Sequence, residues 1–256
     1  MSFAFNEDQK LLAESVDRFI LDDYSFEDRR KTIAMDGGFD KKTWKKFGEL
    51  GWLAFPIPED FGGLGGSTVD VAVLLEGFGR GLVVEPYQSA IILGAETITL
   101  AGRADQKQSL LADLAEGNKL ISLAHTEPRS RFNLRHVELT ATKNGDSYEL
   151  TGEKAIVHNA ETADMIIVSA RTSGDVKDEE GITLFLVDPN IEGLTIRSYP
   201  TIDGLRASEL SFGSVIVDNE QVLGDLGGGF SVLESVIDRA SVLLCAEAAG
   251  AMDTAV

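Results

Sequence analysis

Between Leu120 and Asn159 the spacing of apolar residues shifts from three-and-four to two, and it does not shift back until Phe230. A helix face repeats about every 3.6 residues and a strand face about every 2, so the two periods cannot share one element. A chain that keeps them in separate blocks folds as helices, then strands, then helix. It does not interleave them in β-α-β units.

Residues 5 to about 118 read as helical. Asn6 is an N-cap with Gln9 in the capping-box position, and Leu12, Val16 and Phe19 follow on one face. A second helix is expected from Asp40, carrying Trp44 and Phe47 and ending at Gly51. Ser67 or Thr68 caps a third, with Val69, Val73 and Glu76 along it. Two more run from Gln88 to about Ala101, stopped by Gly102, and from Ala104 to about Glu116, stopped by Gly117.

In the middle block Val137-Glu-Leu-Thr-Ala-Thr142 and Tyr148-Glu-Leu-Thr151 alternate apolar with polar. Asn144-Gly145 lies between them and favours the positive φ angles of a tight hairpin turn. Met165–Ala170, Thr183–Val187, Leu194–Ser198, Glu209–Phe212 and Val215–Val217 are further short strands. Seven or eight strands between turn clusters suggest a barrel or sandwich, and Thr172–Gly181 reads as an exposed loop. From Phe230 a helix is expected to bury a stripe of Leu233, Ile237, Leu244, Ala248 and Ala251. The pattern stops at Val256 with neither a capping Gly nor a Pro, so a continuation is expected. The expected fold class is α+β. A helical domain spans 1–118, a middle antiparallel β-barrel domain 119–225, and the start of a C-terminal helical bundle 226–256.

A net charge of −19 disfavours nucleic acid as a partner. No apolar run is long enough for membrane insertion. The start, Met1-Ser-Phe-Ala-Phe-Asn-Glu7, has neither a basic nor an apolar leader segment. With one cysteine, Cys245, the expected location is cytoplasmic. An anionic substrate would need a local basic patch. Arg129, Arg131 and Arg135 either supply one or are solvated loop charges.

Six segments, in order along the whole chain, carry a resemblance to the acyl-CoA dehydrogenases. They are Phe5-Asn-Glu-Asp-Gln-Lys-Leu-Leu12, Pro58-Glu-Asp-Phe-Gly-Gly-Leu-Gly65, Thr126-Glu127-Pro128, Gly152-Glu-Lys154 with Asn159, Gly204-Leu-Arg206-Ala-Ser208-Glu209, and Val222-Leu-Gly224-Asp followed by Gly228-Gly-Phe230. Phe78-Gly-Arg-Gly-Leu-Val-Val-Glu-Pro-Tyr87 and Leu244-Cys-Ala-Glu-Ala-Ala-Gly250 resemble the small subunits of two-subunit members, of the pimeloyl-CoA dehydrogenase type. The resemblance implies FAD as cofactor and α,β-desaturation of an acyl-CoA thioester. It also implies electron-transfer flavoprotein as acceptor, and a homo- or hetero-oligomer with another dehydrogenase subunit. The alternative is a structural or flavin-sharing subunit without turnover of its own. An unrelated lipid-binding barrel would leave the helical matches unexplained.

The same resemblance implies the site residues. Thr126 matches a residue at the flavin ring edge, although a Thr before Glu-Pro can also simply end a strand. Leu123 and His125 precede it and could meet the ring. The family's Trp-x-Thr is Ile156-Val157-His158 here. His158 either donates a hydrogen bond near the flavin or caps a strand end. After Pro128 the family's Gly-Ala-Gly-Ser-Asp is Arg129-Ser-Arg-Phe132-Asn133, which places Arg129 and Phe132 at the substrate. The family's two positions for a catalytic carboxylate are unmatched. One falls beyond Val256 and the other is Ala240. Glu247 is expected to form a buried or interfacial hydrogen bond. No complete Gly-x-Gly-x-x-Gly, no phosphate-binding loop and no zinc spacing occurs.

Overall fold

The computed structural model describes residues 5–256; Met1–Ala4, part of the segment read as lacking a leader, lie outside the described residues. Helices α1 (Glu7–Asp23), α2 (Phe26–Ile33), α3 (Lys41–Glu49) and α4 (Thr68–Gly81) come first. A π-helix (Gln88–Ala95) runs directly into α5 (Glu96–Ala101), and α6 (Ala104–Ala115) follows. Asn6 and Gln9 form the expected capping box, and Leu12, Val16 and Phe19 are the buried residues of α1. Ser67 caps α4 in a second box closed by Asp70. Each such cap stabilises its helix by about 1 kcal/mol.

Two helical details differ from expectation. The helix α2 was not foreseen, because only Thr32 on it is buried and no apolar periodicity marks it. The segment from Gln88 is wound as a π-helix, a form that apolar periodicity cannot distinguish from an α-helix. Phe19, Phe47, Trp52, Phe78 and Tyr87 pack together in the helical core, with ring centroids 5.0–5.6 Å apart.

The strands are β1 (Ile121–Ala124), β2 (Thr140–Asn144), β3 (Ser147–His158), β4 (Met165–Arg171), β5 (Ile182–Val187), β6 (Leu194–Pro200), β7 (Arg206–Asp218) and β8 (Val222–Leu223). They form one sheet in the order β6-β7-β3-β2-β4-β5-β8, with β1 on β4. The middle domain has eight strands where seven or eight were expected, the two-residue β8 being one not foreseen, and the sheet is mixed rather than wholly antiparallel. Strand β4 pairs in parallel with β1 and, at Thr140↔Arg171, with β2. Residue alternation sets which face a side chain takes, not the direction of its neighbour.

The hairpin joins Asn144 to Ser147 across Gly145-Asp146, and the positive φ of 61° sits on Gly145. Glu209–Phe212 and Val215–Val217 are parts of one strand, β7, interrupted where Ser214 takes a φ of 58°. Val137 and Leu139 are buried as their alternation implies, yet they precede β2. Their amides go to the Val176 carbonyl and the Glu127 carboxylate.

Strands β4 and β5 are covered on both faces, which is why they read as near-continuous apolar runs. One face meets the helices through Ile167, Leu184 and Leu186, and the other closes a second core around Tyr148, Leu150 and Phe185.

The last helix, α7 (Gly229–Ala255), buries Gly229, Leu233, Val236, Leu243 and Gly250. Leu233 is buried as expected, but beyond it the seam runs through Val236, Leu243 and Gly250, one position before the expected Ile237, Leu244 and Ala251, and Leu244 is 56% exposed. Backbone contact with α4 sets the difference. A Cβ on Gly79 would lie 1.9 Å from the Glu247 carbonyl oxygen, and one on Gly250 1.9 Å from that of Glu76. The helices meet through their glycines, and the seam follows Gly250 rather than the larger apolar residues.

Candidate functional site

The ends of β1 and β3 meet. The Ala155 amide donates to the Thr126 carbonyl at 2.9 Å, and the Ser122 hydroxyl donates to the His158 carbonyl at 2.7 Å. These two bonds gather Leu123, His125 and Thr126 from one strand with Ile156 and His158 from the other. Leu123 is buried, while Thr126, His125 and His158 are half-buried.

His125 has a buried Nδ1 with no partner in the protein. Burial pushes its pKa down to about 4, helped by the positive charge of Lys154 and by that of His158 when it is protonated at low pH, and opposed by a hydrogen bond to the Leu123 backbone. His158 is also lowered by burial, with Asp203 acting against it. Both imidazoles are therefore neutral at neutral pH.

Ile156 stands out of the sheet. The β3–β7 register shifts between Lys154 and Val157, and Ile156 is left 54% exposed at a φ of 54°. Positive φ is a strained conformation for a β-branched residue. Asn159, the next marked position, accepts from the Ser89 hydroxyl at 2.8 Å and so ties the π-helix to the end of β3.

Beneath this surface lies a fully buried network. Lys154 Nζ donates to Glu127 Oε1 at 2.7 Å and to Ser169 Oγ at 2.9 Å. Glu127 also accepts from the amides of Glu138 at 2.6 Å and Leu139 at 3.1 Å. Burial lowers the pKa of Lys154 to about 8 against the opposing pull of Glu127. Sequence reasoning marked Glu127 and Lys154 only as motif residues. The signal was present: Lys154 shares the inward phase of β3 with Tyr148 and Leu150, where a lysine must find a buried partner. Glu127, His136 and Glu138 lie close enough together to suggest a metal cluster, but Lys154 already occupies the Glu127 carboxylate.

The loop after Pro128 is different. Phe132 is fully exposed, and Arg131 holds a φ of 50°, a conformation that usually falls to glycine. Arg129 lies 3.9 Å from Glu138 and Arg135 3.3 Å from Glu179. Two of the three arginines considered as a basic patch thus have acidic neighbours, as solvated loop charges do.

Glu247 makes the hydrogen bond expected of it, accepting from Gln88 Nε2 at 3.1 Å, and burial raises its pKa. Arg239, beside Ala240, is held at 2.7 Å by Glu96. These two pairs bolt α7 to the segment 88–101.

A flat cofactor ring fits this surface in part. The exposed Ile156 would be covered, while the Nδ1 of His125 is buried with no partner in the protein.

A helical layer, an eight-stranded mixed sheet and a long closing helix, with polar strand ends exposed between them, have clear counterparts among known proteins. The family model for the acyl-CoA dehydrogenase N-terminal domain matches residues 6–118, and that for the middle domain matches 122–215. A probable acyl-CoA dehydrogenase of Bacillus subtilis, YngJ, is 32% identical over 98% of this chain and 67% of its own length. The short-chain-specific acyl-CoA dehydrogenase of Clostridium acetobutylicum is 28% identical over 98% of this chain and 66% of its own. Among solved structures, butyryl-CoA dehydrogenase from Megasphaera elsdenii superposes with a TM-score of 0.87 at 27% identity, covering 98% of this chain and 67% of that one. The structure of an FAD complex of PigA superposes at 0.90 with 24% identity, covering 99% and 67%, and shows the shared fold.

The chain belongs to the acyl-CoA dehydrogenase family, whose members are FAD-dependent flavoprotein oxidoreductases acting on CH–CH bonds. It spans about two-thirds of the length of these relatives.

Proposed function

We propose that the chain binds FAD where β1 meets β3 and takes part in α,β-desaturation of an acyl-CoA thioester. It does so as a subunit of an oligomer with another dehydrogenase chain, and it passes electrons to an electron-transfer flavoprotein. The proposed domains are 1–118, 119–225 and 226–256.

The observation that carries this reading is the junction itself. Two strand ends are hydrogen-bonded together, one carrying the buried, unpartnered imidazole nitrogen of His125 and the other the exposed apolar side chain of Ile156. In such a site FAD supplies the hydride acceptor. The chain's own part is to orient the ring through Leu123, His125, Thr126 and His158, and to shield it from water with Ile156. Arg129 and Phe132 line the approach of the thioester. Neutral imidazoles can hydrogen-bond there without adding charge. No helix among the described residues is long and apolar enough to cross a membrane. The cytoplasm is the proposed location.

A second reading has its own observation. Phe132 and Ile156 stand where the family has a Ser and an indole, and both are exposed. A subunit that shares flavin with a neighbouring chain, without turnover of its own, would have such surfaces covered by that neighbour.

Visible absorbance of the full-length protein, purified alone and with its partner dehydrogenase, tests both readings. Flavin bound to the chain alone and bleached by an acyl-CoA supports independent turnover. Flavin that appears only in the complex supports sharing. No flavin in either preparation sinks the proposal.

A further inference from the structure

We propose that the buried Glu127–Lys154 pair is a positioning element: it locks the ends of β1 and β3 together for the flavin, with His125 two residues from Glu127 held beside that lock. The choice of flavin as the ligand rests on the function proposed above.

The pair sits at the step where the two strands join. Glu127 directly follows Thr126, and Lys154 directly precedes Ala155, whose amide bonds the Thr126 carbonyl at 2.9 Å. Lys154 and Glu127 side chains are 0% and 1% exposed and 2.7 Å apart. Through Ser169 the lysine reaches β4, the parallel neighbour of β1. Through the amides of Glu138 and Leu139 the glutamate holds the far end of the Arg129–Arg135 loop. One ion pair therefore ties three strands and a loop.

Stability alone is a poor reason for such a pair, since well-packed apolar residues often serve a fold as well or better. The geometry around it points to positioning. Ile156, two residues from Lys154, is held at a φ of 54°. Strain of this kind persists only where the surroundings over-determine the backbone, and Lys154 and the Ala155–Thr126 bond anchor the residues just before it.

The groups that act on His125 are Lys154, His158 and the Leu123 backbone, alongside its burial. Lys154 contributes a positive charge that disfavours protonation of the imidazole. The lysine thus helps to keep His125 neutral.

Three variants of the full-length chain test this: Lys154→Met, Lys154→Arg, and the double variant Glu127→Gln with Lys154→Met. The double variant leaves no unpaired buried charge, so it separates positioning from folding. Two readouts apply. One is flavin affinity, in the chain alone and in its complex. The other is the NMR titration of the three histidines, assigned by His→Gln variants. We expect the folded double variant to bind flavin about tenfold more weakly, the order of loss seen when the groups supporting a site's direct contacts are removed. We expect His125 to titrate higher in both Met variants, by on the order of one unit, and to return in Lys154→Arg.

Wild-type flavin affinity in the double variant, or a His125 titration indifferent to Lys154, overturns the proposal. If the wild type holds no flavin in any preparation while His125 still follows Lys154, the function reading fails. The positioning of His125 then survives it.

Discussion

The candidate site has an inner and an outer half, and they are built on opposite principles. The inner half, Glu127, Lys154 and Ser169, is buried, and the hydrogen bonds of Glu127 and Lys154 are made within the chain. The outer half, Phe132 and Ile156, is apolar and faces solvent, with Arg131 and Ile156 both at positive φ. The inner half needs nothing more. The outer half leaves its apolar side chains open to solvent. The difference teaches that a family's frame can be retained where its own internal chemistry depends on it, while the contact surface above changes.

The comparison breaks most visibly at Lys154. Replacing it with Met leaves Glu127 buried with two amide donors and no cation, and should destabilise the fold by about 3–5 kcal/mol. Chemical denaturation measures this, and a loss under 1 kcal/mol would mean the inner half is not what holds the junction.

Next comes His125. The unfolded chain protonates it near the ordinary value of 6.5 and the folded chain near 4, so its contribution is present above 6.5 and lost as pH falls toward 4. The amount is on the order of 3 kcal/mol. His158, also lowered, acts in the same direction, while Glu85 and Glu247, raised by burial, act against it. The pH dependence of stability in wild type minus that in His125→Phe isolates the term. Parallel curves would contradict the buried neutral imidazole.

On the outer half the sign reverses. Ile156→Gly should relieve the positive φ and leave the flavin-free protein as stable or up to about 1 kcal/mol more stable, despite the added chain entropy of glycine. A clear loss of melting temperature would place Ile156 in the packing of the chain itself.

The smallest expected effect on folding is at Phe132. Phe132→Ser should change stability by less than about 0.5 kcal/mol, since the side chain is fully exposed. Flavin or acyl-CoA affinity should change all the same. If neither affinity moves, Phe132 takes no part in the site.

Much of this was legible in the sequence. The capping box at Asn6, the helix around Trp44 and Phe47, the stops at Gly102 and Gly117, and the buried phase of β3 are local, set by periodicity and by residues within a turn or two. The motif order pointed to the family, and Leu123, His125, Thr126, Ile156 and His158 do share one corner of the fold.

Other features depend on partners far along the chain. Parallel pairing of β1 with β4 cannot be read from either strand, because both directions give the same alternation. The face of α7 that is buried was decided by the approach of Gly79 and Gly250 to backbone carbonyls, not by the larger apolar residues on the helix. The partner of Lys154 lies 27 residues away and is chosen by where the β1 loop returns. By itself the sequence determined the element types, their order and the family frame, since these follow from short-range periodicity, capping and motif residues. Strand direction, the helix seam, the buried ion pair and the exposure of Phe132 and Ile156 were decided only in the tertiary structure, where groups distant in sequence compete for the same space and the same hydrogen bonds.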